Sequence, residues 1–185
     1  MRHAIVTAFV LAALPCAASA QKKPKLALTS PDVHQGQTMP GKHVFNGMGC
    51  TGTNLSPALS WTGAPAGTKS FALTVYDPDA PTGSGWWHWV IFNIPATATG
   101  LAQGAGDPSK NLAPAGSRQG NTDFGAPGYG GPCPPPGPAH HYRFTLFALK
   151  TDKIDVPANA TAAMVGFNLN ANVLEKASLT ALYKR

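Results

Sequence analysis

Glycine and proline recur throughout this chain, and their frequency limits its possible folds more than any other feature of the sequence. The 185 residues include 20 glycines and 18 prolines, roughly a fifth of the chain, which is too much for a helical bundle. The same glycine and proline content has no regular repeat along the chain and is too low for collagen or a disordered tract. The intervening β-type runs are clear at residues 70–76, 89–94 and 142–149, and shorter at 26–29, 59–61 and 179–183. The sequence therefore predicts one turn-rich, mostly β domain.

Only one segment has a helical pattern. A helix is expected at about residues 160–176, where Gly166 weakens the middle and one apolar face would hold Met164, Phe167, Val173 and Leu174. Residues 100–138 form a long irregular stretch. Stretches of that length inside a compact domain are usually functional or disordered.

The first twenty residues have the layout of a secretory signal. Arg2 and His3 precede an apolar run at residues 4–14, and small residues at 18–20 form a cleavage site near Ala20. The apolar run is too short to cross a bilayer of about 30 Å, so no stable membrane insertion is expected. Cys16 would suit a lipid anchor, but Pro15 before it is a poor fit. We expect a signal peptide at 1–20, a flexible leader at 21–25 and one domain at 26–185.

Cleavage of that signal would leave two cysteines, Cys50 and Cys133. An even pair in an exported protein indicates a disulfide, with two separate buried thiols as the alternative. The bond would close a loop of about 83 residues and contribute roughly 4 kcal/mol in the chain-entropy model. The 14 lysines and arginines against 8 acidic residues give a formal charge of +6. These cations are scattered without a stripe of stacking aromatics, which argues against nucleic-acid binding.

Three polar segments lie at strand ends and form a candidate site. They are residues 77–81 after one strand, 86–89 before the next, and 130–137 leading into the third strand at 140–142. Because strands close in sequence usually lie side by side, these segments can meet at one rim of a sheet. Each also has an ordinary structural explanation, as turn formers, packing aromatics or a linker loop. His140 and His141 point to opposite faces of a strand, so at most one can face the site.

Three functional classes remain open: a binding module, a metal-dependent hydrolase and a purely structural envelope protein. A metal-dependent hydrolase could be built from Asp77, Asp79, His88 and His140, since these residue types bind metals. No H-E-x-x-H or C-x-x-C spacing supports it. No serine lies in a G-x-S-x-G turn and no acid–base pair has a known spacing. The sequence therefore favours a binding protein that is not an enzyme and needs no cofactor.

Several ordered motifs resemble the phosphatidylethanolamine-binding protein family, in its bacterial Raf-kinase-inhibitor-like branch. They are GCTGTNLSPALSW at 49–61, GAPAGTKSFAL at 63–73, DPDAP at 77–81, GWWHWV at 85–90, and YGGPCPPPG at 129–137 followed by HHY. The likeness covers about residues 26–184. It implies an antiparallel β-sandwich with a small C-terminal helical segment. The secretory signal, cleaved near Ala20, predicts export of this domain into the periplasm or the medium.

The resemblance also implies a small anion pocket at one end of the sandwich. By motif, its ligand-binding residues would be Asp77, Pro81, His88, Gly131, Pro132, His140 and Tyr142, with Gly130 as the alternative to Gly131. It implies cis peptide bonds at Ala80–Pro81 and at Ser84–Gly85. The expected ligand is phosphate or another small phosphorylated or anionic group. Inhibition of a kinase or protease target, as in family members, is also implied.

The histidines set the expected charge of that pocket. Histidine rings and the Tyr142 hydroxyl can donate hydrogen bonds to a phosphate. Asp77 would repel a phosphate that it faced directly, and it suits the pocket better as the partner of an imidazole whose pKa it raises. We therefore expect phosphate to bind better at pH 6 than at pH 8.

Overall fold

The structure is a computed structural model that describes Met1 and residues 25–185. Apart from Met1, the expected signal peptide lies outside the described residues, as does most of the expected leader. Short 3-10 turns occur at Gly41–His43 and Pro108–Lys110. The helix is α1 (Ala162–Asn172), and the strands are β1 (Ala27–Thr29), β2 (Asn46–Gly47), β3 (Cys50–Thr51), β4 (Leu59–Thr62), β5 (Ser70–Asp77), β6 (Trp86–Pro95), β7 (Gly100–Leu101), β8 (Arg118–Gln119), β9 (His140–Leu149) and β10 (Val173–Tyr183).

The strands form two antiparallel sheets and a small hairpin. The larger sheet has the order β10-β9-β5-β6-β8, the smaller has the order β1-β4-β7, and β2 pairs with β3. The three clear strand predictions correspond to β5, β6 and β9, which form the centre of the larger sheet. The predicted fold class, mostly β with antiparallel sheets and one helix near the C-terminus, is confirmed.

The two sheets enclose the main hydrophobic core. Trp61 on β4 packs against Phe71 on β5, with ring centroids 5.4 Å apart. Leu59 and Leu101 from the smaller sheet join the same buried cluster as Phe144 from the larger one. Burying a side chain of this size stabilises the fold by roughly 1.5–3 kcal/mol, so this interface supplies much of the driving force for folding.

The larger sheet is covered on its other face as well. Phe92 and Phe147 pack there with Ile154, and with Val165 and Leu169 of α1. Because both faces of the larger sheet are covered, β5 is buried along almost its whole length instead of at alternate residues. No helix in residues 25–185 has the length and apolar character needed to cross a membrane.

The helix differs from its prediction in bounds and in orientation. It starts after Thr161, whose side chain caps it by accepting a hydrogen bond from the Met164 amide at 3.2 Å. Its buried side chains are Ala162, Val165 and Leu169. The face that was predicted to be buried is therefore wrong: Met164 and Phe167 are exposed, and so is Leu174, which lies in β10 with Val173.

Candidate functional site

The register of the larger sheet brings the three polar segments together. Asp77 at the end of β5 pairs with Trp86 at the start of β6, and Tyr76 pairs with Arg143 near the start of β9. A cavity of about 200 Å³ opens at this edge. The predicted meeting of these segments at one rim is thus what the structure shows.

A β-bulge determines which side chains of β6 reach the cavity. Val75 pairs with Trp89 while Tyr76 pairs with Trp87, so His88 is an extra residue without an opposite partner on β5. One extra residue reverses the alternation of the strand, and bulges commonly redirect side chains in this way. Trp86 and His88 consequently line the cavity, whereas Trp87 packs against the Tyr76 ring at 4.6 Å.

Asp77 and His140 form a buried pair in the cavity wall. The Asp77 carboxylate is 2% exposed, and its Oδ2 lies 2.8 Å from Nδ1 of His140. Its Oδ1 accepts a hydrogen bond from the Asp79 amide at 2.8 Å, which fixes the turn after β5. The imidazole is therefore held through Nδ1, and Nε2 is the ring nitrogen left for a ligand.

Asp79 and His141 make a second pair outside the cavity. The Asp79 carboxylate accepts hydrogen bonds from both the backbone and the ring of His141, each at 2.7 Å. Partial burial tends to raise the pKa of Asp79, but these hydrogen bonds outweigh it and hold the pKa below its usual value. His141 is exposed, in agreement with the prediction that only one of the two histidines can face the site.

His88 is buried and held by a backbone carbonyl. Its Nδ1 lies 2.7 Å from the Gly130 oxygen, and its ring packs edge-on against Phe124 and Tyr142. Burial lowers the pKa of His88 to about 4, despite the opposing effects of that carbonyl and of the Asp77 charge. His88 is therefore uncharged near neutral pH.

Two buried donors in the cavity wall have no partner. The Tyr142 hydroxyl and the Trp86 indole Nε1 are both buried, and neither forms a hydrogen bond within residues 25–185. Burial first, and the nearby Asp77 carboxylate second, through its charge and a longer-range hydrogen-bonding interaction, raise the pKa of Tyr142 above its usual value, so the hydroxyl keeps its proton. Unsatisfied buried donors are uncommon, so these two groups call for acceptor atoms that the described residues do not supply.

The remaining walls are mostly apolar. Phe124 comes from the irregular stretch, and Met48 from the turn between β2 and β3. Pro81 lines the cavity as predicted, and Cys133, Pro134 and Pro135 form another side. A mostly apolar cavity with a few polar groups is the usual form of a small-molecule site. Sequence reasoning missed Phe124, for which no periodic signal existed, and Met48, which only its closeness to Cys50 could have suggested.

Gly131 and Pro132 were predicted to bind the ligand, but they do not line this cavity. The Gly131 amide donates a hydrogen bond to the Asn54 side chain at 2.7 Å, and the Pro132 carbonyl accepts one from the Phe45 amide at 3.0 Å. A Cβ at position 131 would lie 2.1 Å from a backbone oxygen, so close packing requires this glycine. Gly130 reaches the site instead, through its carbonyl on His88.

The cis peptide bonds expected at Ala80–Pro81 and Ser84–Gly85 are not found, since every peptide bond in the described residues is trans. Gly83 and Gly85, with φ of 77° and 68°, carry the reversal of the chain before β6. At Gly85 an added Cβ would come within 2.3 Å of the Tyr76 hydroxyl, so only glycine fits there.

The disulfide between Cys50 and Cys133 is present, with Cα atoms 5.9 Å apart. It connects the β2–β3 hairpin to the proline-rich wall of the cavity. The four residues of the hydrolase alternative do not form one cluster, because Asp79 turns away to His141. Within the part of the chain that the structure describes, no group of three or more His, Cys, Asp or Glu side chains is arranged to hold a metal.

These features define a class: β-sandwich proteins with a small cavity at the end of the larger sheet. A family model described as phosphatidylethanolamine-binding protein matches residues 29–184, and the chain belongs to that family, which is not an established enzyme family.

Solved and curated relatives agree with this assignment. The chain is similar to YbcL of Escherichia coli strain K12, with 53% identity over 85% of this chain and 86% of YbcL. The chain is 52% identical to YbhB of the same strain, over 85% of this chain and 99% of YbhB. The E. coli YbcL crystal structure superposes with a TM-score of 0.85 at 52% identity, over 87% of this chain and 99% of that one. The structure of a homologue from Chlamydia trachomatis, CT736, superposes with a TM-score of 0.73 at 28% identity, over 88% of this chain and 99% of that one.

Proposed function

We propose that this protein is an exported binding module whose end cavity takes a small phosphorylated or otherwise anionic ligand. The observation that carries the proposal is the pair of unpartnered donors, the Tyr142 hydroxyl and the Trp86 indole N–H, in one cavity wall. Phosphate and carboxylate oxygens accept such hydrogen bonds strongly, because the acceptor is charged. A ligand that accepts a hydrogen bond from each of these donors removes the free-energy penalty of burying them without partners.

The other polar groups are compatible with an anion. The Asp77 carboxylate is held by hydrogen bonds from His140 and from the Asp79 amide, which partly offset its repulsion of an anion. His88 is uncharged near neutral pH and its Nδ1 is engaged by Gly130. In that tautomer Nε2 is an acceptor, which suits a ligand carrying its own proton, such as a hydrogen phosphate or an ammonium group.

Export is supported by two independent features. The first twenty residues have the pattern of a cleaved secretory signal. The disulfide between Cys50 and Cys133 is typical of proteins that fold in an oxidising compartment. Inhibition of a kinase or protease stays a prediction. A carboxypeptidase Y inhibitor, solved with its cognate proteinase, shares 22% identity and a TM-score of 0.51 with this chain. That likeness concerns the fold alone.

Calorimetric titration with phosphate and with phosphoethanolamine tests the proposal, using chelator-treated protein. The informative variant is His140→Asn, because Asn retains a donor toward Asp77 and lacks the outer ring nitrogen. His141→Asn is the matched control, since His141 is the neighbouring residue and is also paired with an aspartate. We expect saturable binding in the wild type and in His141→Asn, with affinity at least about tenfold weaker in His140→Asn.

Tyr142→Phe tests the observation itself. Removing one hydrogen bond to a charged ligand should weaken binding roughly tenfold to a hundredfold. The unliganded protein should lose little stability, because the hydroxyl has no close hydrogen-bond partner and interacts with the Asp77 carboxylate only at longer range. Wild-type protein that binds neither ligand would contradict the proposal, as would Tyr142→Phe binding as tightly as the wild type.

A further inference from the structure

The cavity walls contain little positive charge for a site that binds anions. No lysine or arginine lines the cavity in the part of the chain that the structure describes, and Asp77 contributes a carboxylate. An anion entering a largely apolar cavity loses hydration and needs charge or hydrogen bonds in return. If the proposed function holds, a cation close to the mouth would supply part of that compensation.

The sheet register places residues 184–185 at this mouth. Tyr183 on β10 pairs with His140 at the start of β9. Because His140 lies in the cavity wall, the residues that follow Tyr183 emerge beside the cavity. Arg185 is exposed there.

Hydrogen bonds of both its backbone and its side chain hold Arg185 at this position. Its carbonyl accepts a hydrogen bond from the Gly137 amide at 3.3 Å. Its Nη1 donates a hydrogen bond to the Met48 carbonyl at 3.1 Å and lies 3.9 Å from the Cys133 sulfur. Met48 and Cys133 both line the cavity, so the guanidinium lies beside two different walls.

The hairpin turn leaves space for this guanidinium. A Cβ added to Gly49 would lie 2.7 Å from Arg185 Nη1, and Gly49 has a φ of +82°. In both hydrogen bonds of the Arg185 side chain, the donor is Nη1. A guanidinium has five N–H donors in a planar fork, which leaves others available to an anion at the mouth.

We propose that Arg185 is a specificity-determining residue of this cavity, selecting anionic ligands by its charge at the mouth. The inference rests on the proposed function and adds a residue that belongs to none of the family motifs in the sequence. Arg185 could instead act only as a clamp on the Met48 turn. The two roles differ in one respect: a clamp needs a hydrogen-bond donor, whereas charge selection needs the cation.

Phosphate titrations with Arg185→Lys and Arg185→Gln separate the two roles, since Lys retains the charge while Gln retains only a donor. Arg143→Gln is the control: Arg143 is exposed on β9, does not line the cavity, and its loss changes the net charge equally. At about 20 mM salt, we expect Arg185→Gln to bind phosphate roughly threefold to tenfold more weakly than the wild type. Arg185→Lys and Arg143→Gln should stay within about twofold of it.

Salt gives a second measurement that needs no folding control. Raising the salt to about 0.5 M should weaken wild-type binding and bring it close to that of Arg185→Gln, because the charge becomes screened. Arg185→Gln binding like the wild type at low salt would overturn the inference and leave the proposed function intact. So would wild-type affinity that is independent of salt. Loss of affinity in both Arg185→Gln and Arg185→Lys would show that a positive charge at this position is not sufficient, and it would also overturn the inference. Wild-type protein without phosphate binding would overturn the proposed function and the inference together.

Discussion

His88, His140 and His141 lie within one rim of the sheet, and their different surroundings determine what each can do. His140 is buried beside Asp77, His141 is exposed beside Asp79, and His88 is held by a backbone carbonyl among aromatic rings. Burial among these rings lowers the pKa of His88, so this imidazole is uncharged near neutral pH. Residue type alone therefore did not decide which ring could carry a charge.

The buried His88 should make the folded state sensitive to acid. Its pKa is about 4 in the folded protein, against an ordinary value of 6.5. Between these values the unfolded chain binds a proton that the folded protein does not, so stability falls as the pH falls. We expect the wild type to lose about 2 kcal/mol more than His88→Asn between pH 7 and pH 4.5.

Urea unfolding at the two pH values measures this difference. His88→Asn keeps a donor for the Gly130 carbonyl and does not titrate, which makes it the suitable variant. Equal losses of stability in both proteins would show that His88 is not responsible. The same comparison applies to binding, where the ratio of phosphate affinities at pH 6 and pH 8 should be unchanged in His88→Asn.

Strands and helix differed in how far the sequence could predict them. The central strands carry β-branched and aromatic residues between glycine and proline turns, and their positions were predictable. The bulge at His88 was not, because it depends on the pairing with β5, which a single strand does not encode. Consequently the sequence placed His88 in the site but could not choose between Trp86 and Trp87.

The helix shows a different difficulty. Its largest apolar residues, Met164 and Phe167, are exposed, and the small Ala162 is buried with Val165 and Leu169. The exposed and the buried residues both have helical spacing, so spacing alone could not choose between the two faces. The prediction chose the face with the larger side chains, and the structure buries the other one. The choice was made by the covered surface of the larger sheet, which accepts small and medium side chains here.

Truncating one residue from each face of the helix tests its orientation. Val165 is 1% exposed and Phe167 is 75% exposed. We expect Val165→Ala to lower the free energy of unfolding by about 2 kcal/mol, since it leaves a cavity. Phe167→Ala should change it by less than about 0.5 kcal/mol, although it removes far more atoms. Denaturant unfolding of the two variants decides this, and a larger loss in Phe167→Ala would reverse the assigned orientation.

For the whole molecule, what the sequence could predict was the sandwich, the disulfide and the meeting of strand ends. The meeting of strand ends follows from sequence patterns and the disulfide from cysteine counting, whereas the sandwich was implied by the resemblance to the family. The roles of Gly131 and Phe124 depend instead on how residues 100–138 fold back on the sheet, and this stretch has little regular structure. Contacts made by irregular backbone have no period from which they could be predicted.

The disulfide is where the stability of the whole molecule and the shape of the cavity meet. Cys50 and Cys133 are 83 residues apart, and Cys133 lines the cavity beside Met48. The hairpin that carries Met48 has two residues in each strand, and so short a hairpin has little stability of its own. Losing the bond should therefore affect both global stability and the position of this wall.

We expect replacement of Cys50 and Cys133 by serine to lower the free energy of unfolding by about 4 kcal/mol, because the bond closes a long loop. Phosphate binding should weaken more than the folded fraction explains, since the Met48 wall loses its covalent link. Urea unfolding measures the change in stability. Calorimetric titration without urea, on protein whose folding is checked by circular dichroism, measures the change in phosphate affinity. A change in unfolding free energy below about 1 kcal/mol would mean that the hairpin is held mainly by other contacts, such as the Arg185 hydrogen bond to Met48. Unchanged phosphate affinity in folded protein would mean that the wall keeps its shape without the bond.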